Sequence, residues 1–363
     1  MKKITYLLLA ALITGCSTEP EFVITGNIQD SDSVSFLLQK REAGKFVTLD
    51  SALSRKGTFR LKGTVEFPQM VYLVAPEKQQ RVAFYLENSD ISVSGLLDSL
   101  SFAKISGSKT QDEYQGFIDS NKPLSDEYSA LYTEYQTARQ ADDAEKVAQL
   151  EKEAENIQNE MTQLQKDFVK NNPASFVTPS ILNSLSYEMD GTEIENAINA
   201  LDTNVAKVQL AKDLMARAML MKTVAIGQKA PDFTQNDVSG NPVSLYSKVG
   251  AKVLLVDFWA AWCNPCRQEN PNVVKVYKEF NKKGFDVFGV SLDRTKEDWV
   301  EAIAADNLTW THVSDLQYWN NAAAKLYAVN AIPANFLLDE NGTIIARNLR
   351  GEDLYNKVKE ILK

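Results

Sequence analysis

Cys263-Asn264-Pro265-Cys266 follows the strand-like run Lys252-Val-Leu-Leu-Val-Asp-Phe258 across a four-residue junction that ends in Trp262. That order puts two thiols at the mouth of a helix directly after a buried strand. The chemistry that needs such a placement is dithiol–disulfide exchange: one thiol attacks a partner's disulfide, and the other, a helical turn away, resolves the mixed disulfide. The same spacing serves zinc, but zinc needs further ligands. The rest of the chain offers only Cys16 and the single histidine, His312, so a metal site is not expected.

The chain has 363 residues, 44% of them apolar, and a formal charge of −9. That is enough for two or three domains with sizeable cores. Acidity with no long basic run argues against nucleic-acid binding. Lys2 and Lys3 followed by the apolar stretch 4–13 form an export signal too short to span a membrane well. It ends in Ile13-Thr14-Gly15-Cys16, which resembles a bacterial lipobox, so residues 1–15 read as a signal peptide and Cys16 as the lipidated residue. Acyl chains there would hold the protein at a membrane surface, in the cell envelope and facing the periplasm. Ser17 is not the aspartate associated with inner-membrane retention, which mildly prefers the outer membrane. With Cys16 acylated, Cys263 and Cys266 are the only thiols left. In an exported, disulfide-permissive compartment a lone pair of this spacing reads as redox machinery.

Residues 16–21 suit a short tether. From 22 to 107, short β-branched and aromatic runs alternate with Gly, Asp and Ser clusters, which predicts an antiparallel sandwich or small barrel without a catalytic constellation. From 108 to 222 the period changes to near 3.6. Val147, Leu150, Ala154, Ile157, Met161, Leu164 and Phe168 form one stripe and Tyr128, Leu131, Tyr135 and Ala138 another, predicting a helical hairpin, with further helices at 173–187 and 192–220. The third region, 223–363, reads as mixed α/β: a strand at 252–258, a helix at 264–283, a strand at 285–290, two strands joined at Asn341-Gly342 and a closing helix at 351–362.

Val256-Asp-Phe-Trp-Ala-Ala-Trp-Cys-Asn-Pro-Cys266 with Ala331-Ile-Pro-Ala334 resembles the thioredoxin superfamily, and within it the membrane-tethered TlpA/ResA-type thiol–disulfide oxidoreductases. Ala230-Pro-Asp-Phe233, the Leu337-to-Gly342 hairpin and the added segment 291–325 belong to the same pattern, so the likeness covers about 226–363. The front half is loosely similar to regions that precede such domains in Bacteroidetes-type lipoproteins.

The helix N-terminus favours the thiolate of Cys263, the expected nucleophile, and Cys266, a turn inside, is the expected resolving thiol. The resemblance implies a cis peptide before Pro333, with Ile332 offering its backbone to a bound partner chain. It also implies two carboxylates for proton handling. Asp257 matches a buried acid behind the cysteines, and Glu269 an active-site glutamate of the ResA-like subgroup; which of them works as the proton acceptor is open. Trp262 is expected to shape the docking surface, with Trp259 in the core and His312 structural.

The activity implied is reduction of disulfides in exported proteins, including apocytochrome c before haem attachment. No flavin or nicotinamide motif is present, so no cofactor is expected and electrons must come from a membrane donor of thiol type. An oxidase or isomerase would use the same residues. A peroxiredoxin-like peroxidase would need a Pro-x-x-x-Thr-x-x-Cys context, whereas Phe258-Trp-Ala-Ala-Trp262 precedes Cys263. A non-catalytic surface-binding lipoprotein would use the front 200 residues.

Overall fold

The computed structural model describes residues 21–42 and 44–363. The expected signal peptide, Cys16 and nearly all of the tether lie outside them. Two compact units result: one runs to Leu182 and takes in Asp202–Val208, and the other comprises Asn183–Leu201 and Gln209–Lys363.

In the first unit, β1 (Phe22–Gln29), β2 (Ser35–Glu42), β3 (Lys45–Leu53), β4 (Thr58–Gly63), β5 (Gln69–Ala75), β6 (Gln80–Leu86), β7 (Asp90–Leu96) and β8 (Lys104–Ser106) form two four-stranded sheets, ordered β4-β1-β7-β8 and β3-β2-β5-β6. Alternate residues point inward, as a pleated strand requires, and the two inner faces share one core. Phe36 of β2 stacks on Phe59 of β4 with ring centroids 4.2 Å apart. The expected antiparallel pairing has one exception, because β1 and β7 run parallel. A parallel neighbour needs a long crossover, and strands β2–β6 supply it. Helices α1 (Lys109–Gln140) and α2 (Ala144–Asn171) form the predicted hairpin, with Gln158 donating to the Tyr128 hydroxyl across the seam at 2.9 Å. Phe117, Leu164 and Phe168 of the hairpin gather around Tyr85 of β6, together with Val177 and Ile181 of α3 (Thr178–Leu185).

The second unit begins with α4 (Gly191–Asn199) and α5 (Gln209–Thr223), two helices where one was expected. A sequence boundary near 223 follows composition, but compactness divides the chain differently. Val224, just past α5, belongs to the same core as the C-terminal sheet, and α5, which buries Ala211, Leu214, Ala218 and Met221, packs on α4. The sheet holds β9 (Thr234–Asp237), β10 (Pro242–Ser244), β11 (Val253–Trp259), β12 (Phe285–Ser291), β13 (Thr311–Ser314), β14 (Ala334–Asp339) and β15 (Ile344–Arg347), ordered β10-β9-β13-β12-β11-β14-β15. Four helices accompany it: α6 (Asn264–Phe280), α7 (Lys296–Ala305), α8 (Ala322–Leu326) and α9 (Gly351–Ile361). Every residue of the central strand β11 is buried, which explains its unbroken apolar run with the single interruption at Asp257. Among the described residues no helix is long and apolar enough to cross a membrane.

Candidate active site

The chain leaves β11 at Trp259, turns through 260–262, and starts α6 with Cys263 as its N-cap. Cys263 and Cys266 form a disulfide with Cα atoms 5.2 Å apart. The Cys263 sulfur also accepts the Cys266 backbone N–H at 3.2 Å. An N-cap side chain ordinarily supplies an oxygen to such an orphan donor; here a sulfur does so. Both residues are nearly closed off, Cys263 4% exposed and Cys266 1%.

The turn before Cys263 is held from outside the motif. Buried Asp293 accepts the Ala261 N–H at 3.1 and 3.2 Å and the Ser291 hydroxyl at 2.7 Å. Burial raises its carboxyl above the usual range, while those bonds pull it back. Arg267 donates to the Ala261 carbonyl at 3.3 Å and forks onto Asp306 through Nε and Nη2. Trp262 is 43% exposed. Its ring lies against Tyr318 and Trp319, at 5.0 and 6.0 Å between centroids, and Arg294 sits over Tyr318 at 3.9 Å. Sequence reasoning singled out none of these three partners, since each lies well beyond α6 in the sequence with no motif around it.

The Ile332–Pro333 peptide is cis. β14 runs antiparallel to β11 with Ala334 opposite Phe258, so Pro333 stands level with Trp259, at the end of the sheet from which the cysteine turn emerges. Arg350, also unmarked in sequence, donates to the Pro333 and Leu349 carbonyls.

Asp257 is 6% exposed on β11. Burial pushes its carboxyl up to about 7, the Arg350 guanidinium pulls it back, and the Glu269 carboxylate adds to the rise. Glu269 itself is engaged at both oxygens: Oε1 accepts the Gly351 N–H at 2.8 Å and Oε2 the Asn272 amide at 3.0 Å. Gly351 opens α9, whose N-cap Arg350 makes no side-chain cap bond, so Glu269 satisfies that helix end from α6. Glu269→Ala is therefore expected to lower stability by about 1 kcal/mol, the effect of a lost cap, in denaturant unfolding followed by tryptophan fluorescence; an unchanged midpoint would refute that role. His312 lies on β13 between Trp259 and Trp310, with ring centroids at 5.5 and 5.7 Å. Burial pushes it down to about 3, so it stays neutral at working pH.

Residues 226–347 match the family model of the AhpC/TSA family, and residues 22–114 that of a domain of unknown function, DUF4369. The thiol-disulfide oxidoreductase ResA of Bacillus thuringiensis subsp. konkukian is 30% identical over 143 residues, covering 38% of this chain and 77% of that protein. The chain belongs to the ResA-like thiol–disulfide oxidoreductases of the thioredoxin superfamily. This ResA-like enzyme is also 40% identical over 121 residues to the thioredoxin-like protein YneN of Bacillus subtilis, covering 32% of this chain and 68% of that one. The thioredoxin domain of a thiol-disulfide oxidoreductase from Bacteroides vulgatus is 42% identical, with 38% of this chain and 99% of that one covered and a TM-score of 0.36. As a member of that family, the ResA-like chain is a protein-disulfide oxidoreductase, and its substrates are proteins that contain disulfides.

Proposed function

We propose that this enzyme reduces disulfides of exported proteins, apocytochrome c among them, while a lipid on Cys16 holds it at the periplasmic side of the cell envelope. One observation carries the mechanism: the disulfide caps a helix N-terminus, and a buried carboxyl that changes charge near pH 7 sits on the adjoining strand. In the reduced enzyme the helix end stabilises the Cys263 thiolate. That thiolate attacks one sulfur of the partner's disulfide; the partner's S–S bond breaks, and its first sulfur leaves as a thiol after taking a proton. Cys266 gives its proton to the Asp257 carboxylate and attacks the Cys263 sulfur. The mixed disulfide breaks and the second partner thiol leaves. Two electrons have passed to the partner, and the enzyme holds the Cys263–Cys266 disulfide. A membrane donor of thiol type restores it.

Glu269 acts here as a fixed charge that keeps Asp257 proton-hungry. Trp262 and the Ile332 backbone beside Pro333 receive the partner chain. Reduced Cys266→Ser, mixed with a disulfide-bonded peptide, should accumulate a one-to-one covalent adduct by mass, and Cys263→Ser should form none. The opposite pattern would exchange the two roles, and no adduct with either would refute exchange chemistry at this pair. The equilibrium potential of the pair fixes the direction. A value near or below roughly −270 mV supports a reductant, and one near roughly −120 mV makes the enzyme an oxidant or isomerase.

A further inference from the structure

A cleft of about 690 Å³ opens within the second unit, and Pro333 is part of its wall. Three guanidiniums line it: Arg217 from α5, Arg347 from β15, and Arg350. Arg217 donates to the Ser186 hydroxyl and carbonyl at 2.6 and 3.0 Å and lies over the Tyr187 ring. With the Asn330 amide oxygen turned toward it, Arg217 Nη2 also reaches Asn330 at 2.9 Å. Arg347 sits 4.9 Å over the Phe336 ring, and its Nε is buried without a hydrogen-bond partner. Arg350 is held only by carbonyls.

None of the three forms an ion pair with a carboxylate of the described residues. The other charges in the cleft offset them only in part. Lys222 is taken by Glu195 at 2.6 Å. Asp190 caps α4 through Oδ1 and attracts Arg347 without forming an ion pair with it. Glu188 is solvent-exposed. In a chain of formal charge −9, this cleft therefore concentrates positive charge that Asp190 and Asp257 offset only from a distance, without a direct ion pair. Burial lowers the proton affinity of both Arg217 and Arg347, with the Asp190 charge pulling Arg347 part of the way back, the direction expected when a cation loses water and gains no direct ion pair. A planar guanidinium in that situation is matched to a carboxylate, which it can bind through two parallel bonds.

We propose that the cleft binds acidic side chains of the polypeptide whose disulfide is reduced, so that Asp or Glu near the partner's cysteine selects substrates. The inference rests on the proposed function, because the occupant is a partner chain. Continuity with the cis-Pro loop favours a polypeptide over a free small anion. Pro333 is wall to the cleft, Ile332 before it offers backbone to an extended chain, and Arg350 both lines the cleft and holds the Pro333 carbonyl. A partner strand laid along that loop borders the cleft that the guanidiniums line.

The test uses the full chain and two peptides of identical sequence, one carrying Glu on both sides of its cysteine and the other Gln. A second pair has serine in place of every cysteine. Calorimetric binding of the serine peptides tests the cleft independently of redox chemistry. The acidic one is expected to bind about tenfold more tightly, the scale of one charged hydrogen bond, and the gap should shrink at about 0.5 M salt. Arg347→Gln should bring the two affinities together. With the disulfide-bonded peptides the preference should appear in KM with kcat unchanged. Equal affinities in the unmodified protein, or a preference that survives Arg347→Gln, would overturn the cleft. Selective binding of the acidic serine peptide without reduction of either disulfide peptide would instead overturn the proposed function and leave the cleft standing. Tight binding of free glutarate, with no difference between the peptides, would replace the polypeptide by a small dicarboxylate and also overturn the inference.

Discussion

Asp257→Asn is expected to slow turnover about a hundredfold at pH 7, the lower range for loss of a positioned proton acceptor, and to make the protein harder to unfold in alkali. The two effects share one cause. A carboxyl pushed up to about 7 is part ionised and part protonated at neutral pH, which suits it to take a proton from Cys266 and return it. Asparagine keeps the shape and loses that exchange. The mixed disulfide should then build up during turnover, because the deficit falls on resolution by Cys266 and not on attack by Cys263. Quenched-flow measurement with a disulfide peptide separates the steps. An unaltered resolution rate would remove Asp257 from the proton path.

The stability effect has a definite sign. Asp257 holds its proton more tightly folded, at about 7, than at its ordinary value of 3.8. Its contribution is fully present below about pH 4 and is lost as pH rises through 7. The total is roughly 4 kcal/mol at 1.36 kcal/mol per pH unit. Asparagine carries no such dependence. The variant should therefore match the parent below pH 4 and exceed it progressively up to about pH 8. A difference that is flat with pH would mean that Asp257 ionises as an ordinary surface acid does.

The chemistry of this enzyme was legible because it is local. Cys263, Cys266 and their strand–turn–helix setting occupy a short stretch of chain, whereas Asp257 was singled out only through the resemblance to the thioredoxin superfamily. Pro333 is distant in sequence, but β14 pairs beside β11, and its Ile-Pro signal survives because it constrains the backbone itself. What supports the motif was not legible. Asp293, Arg267 and Arg350 reach the cysteine turn or Pro333 by side-chain bonds whose partners lie 6 to 32 residues away, and no periodicity records such distances. β3 was missed because it is an edge strand whose residues are largely exposed, so its Lys-Phe-Val-Thr-Leu pattern lacks the alternation of a half-buried strand. The grouping of α4 and α5 with the C-terminal sheet was missed for a related reason. Amphipathic helices advertise that they have a buried face, not what that face will meet.

Gly289→Ala is expected to lower the stability of the second unit by about 3 kcal/mol, toward the upper end for a methyl forced into a filled core. The register Asp257–Gly289–His312 runs straight across three adjacent strands. A Cβ on Gly289 would lie 2.3 Å from His312 Nδ1 and 2.7 Å from its Cε1. The imidazole cannot move aside cheaply, because Trp310 stacks on it and Trp259 packs against it edge to face. β12 must therefore shift away from β11 or β13, at the level of Asp257 and just below the cysteine turn, so activity should fall with stability. All five tryptophans lie between 259 and 319, so their fluorescence follows unfolding of this unit alone. The decisive comparison is the double variant with His312→Ala. His312→Ala by itself leaves a cavity, but that cavity is where the new methyl would go. The two costs should sum to more than the double variant shows, by about 1 kcal/mol or more, as for residues in direct contact. Strict additivity would mean that the glycine is required for some reason other than the histidine ring beside it.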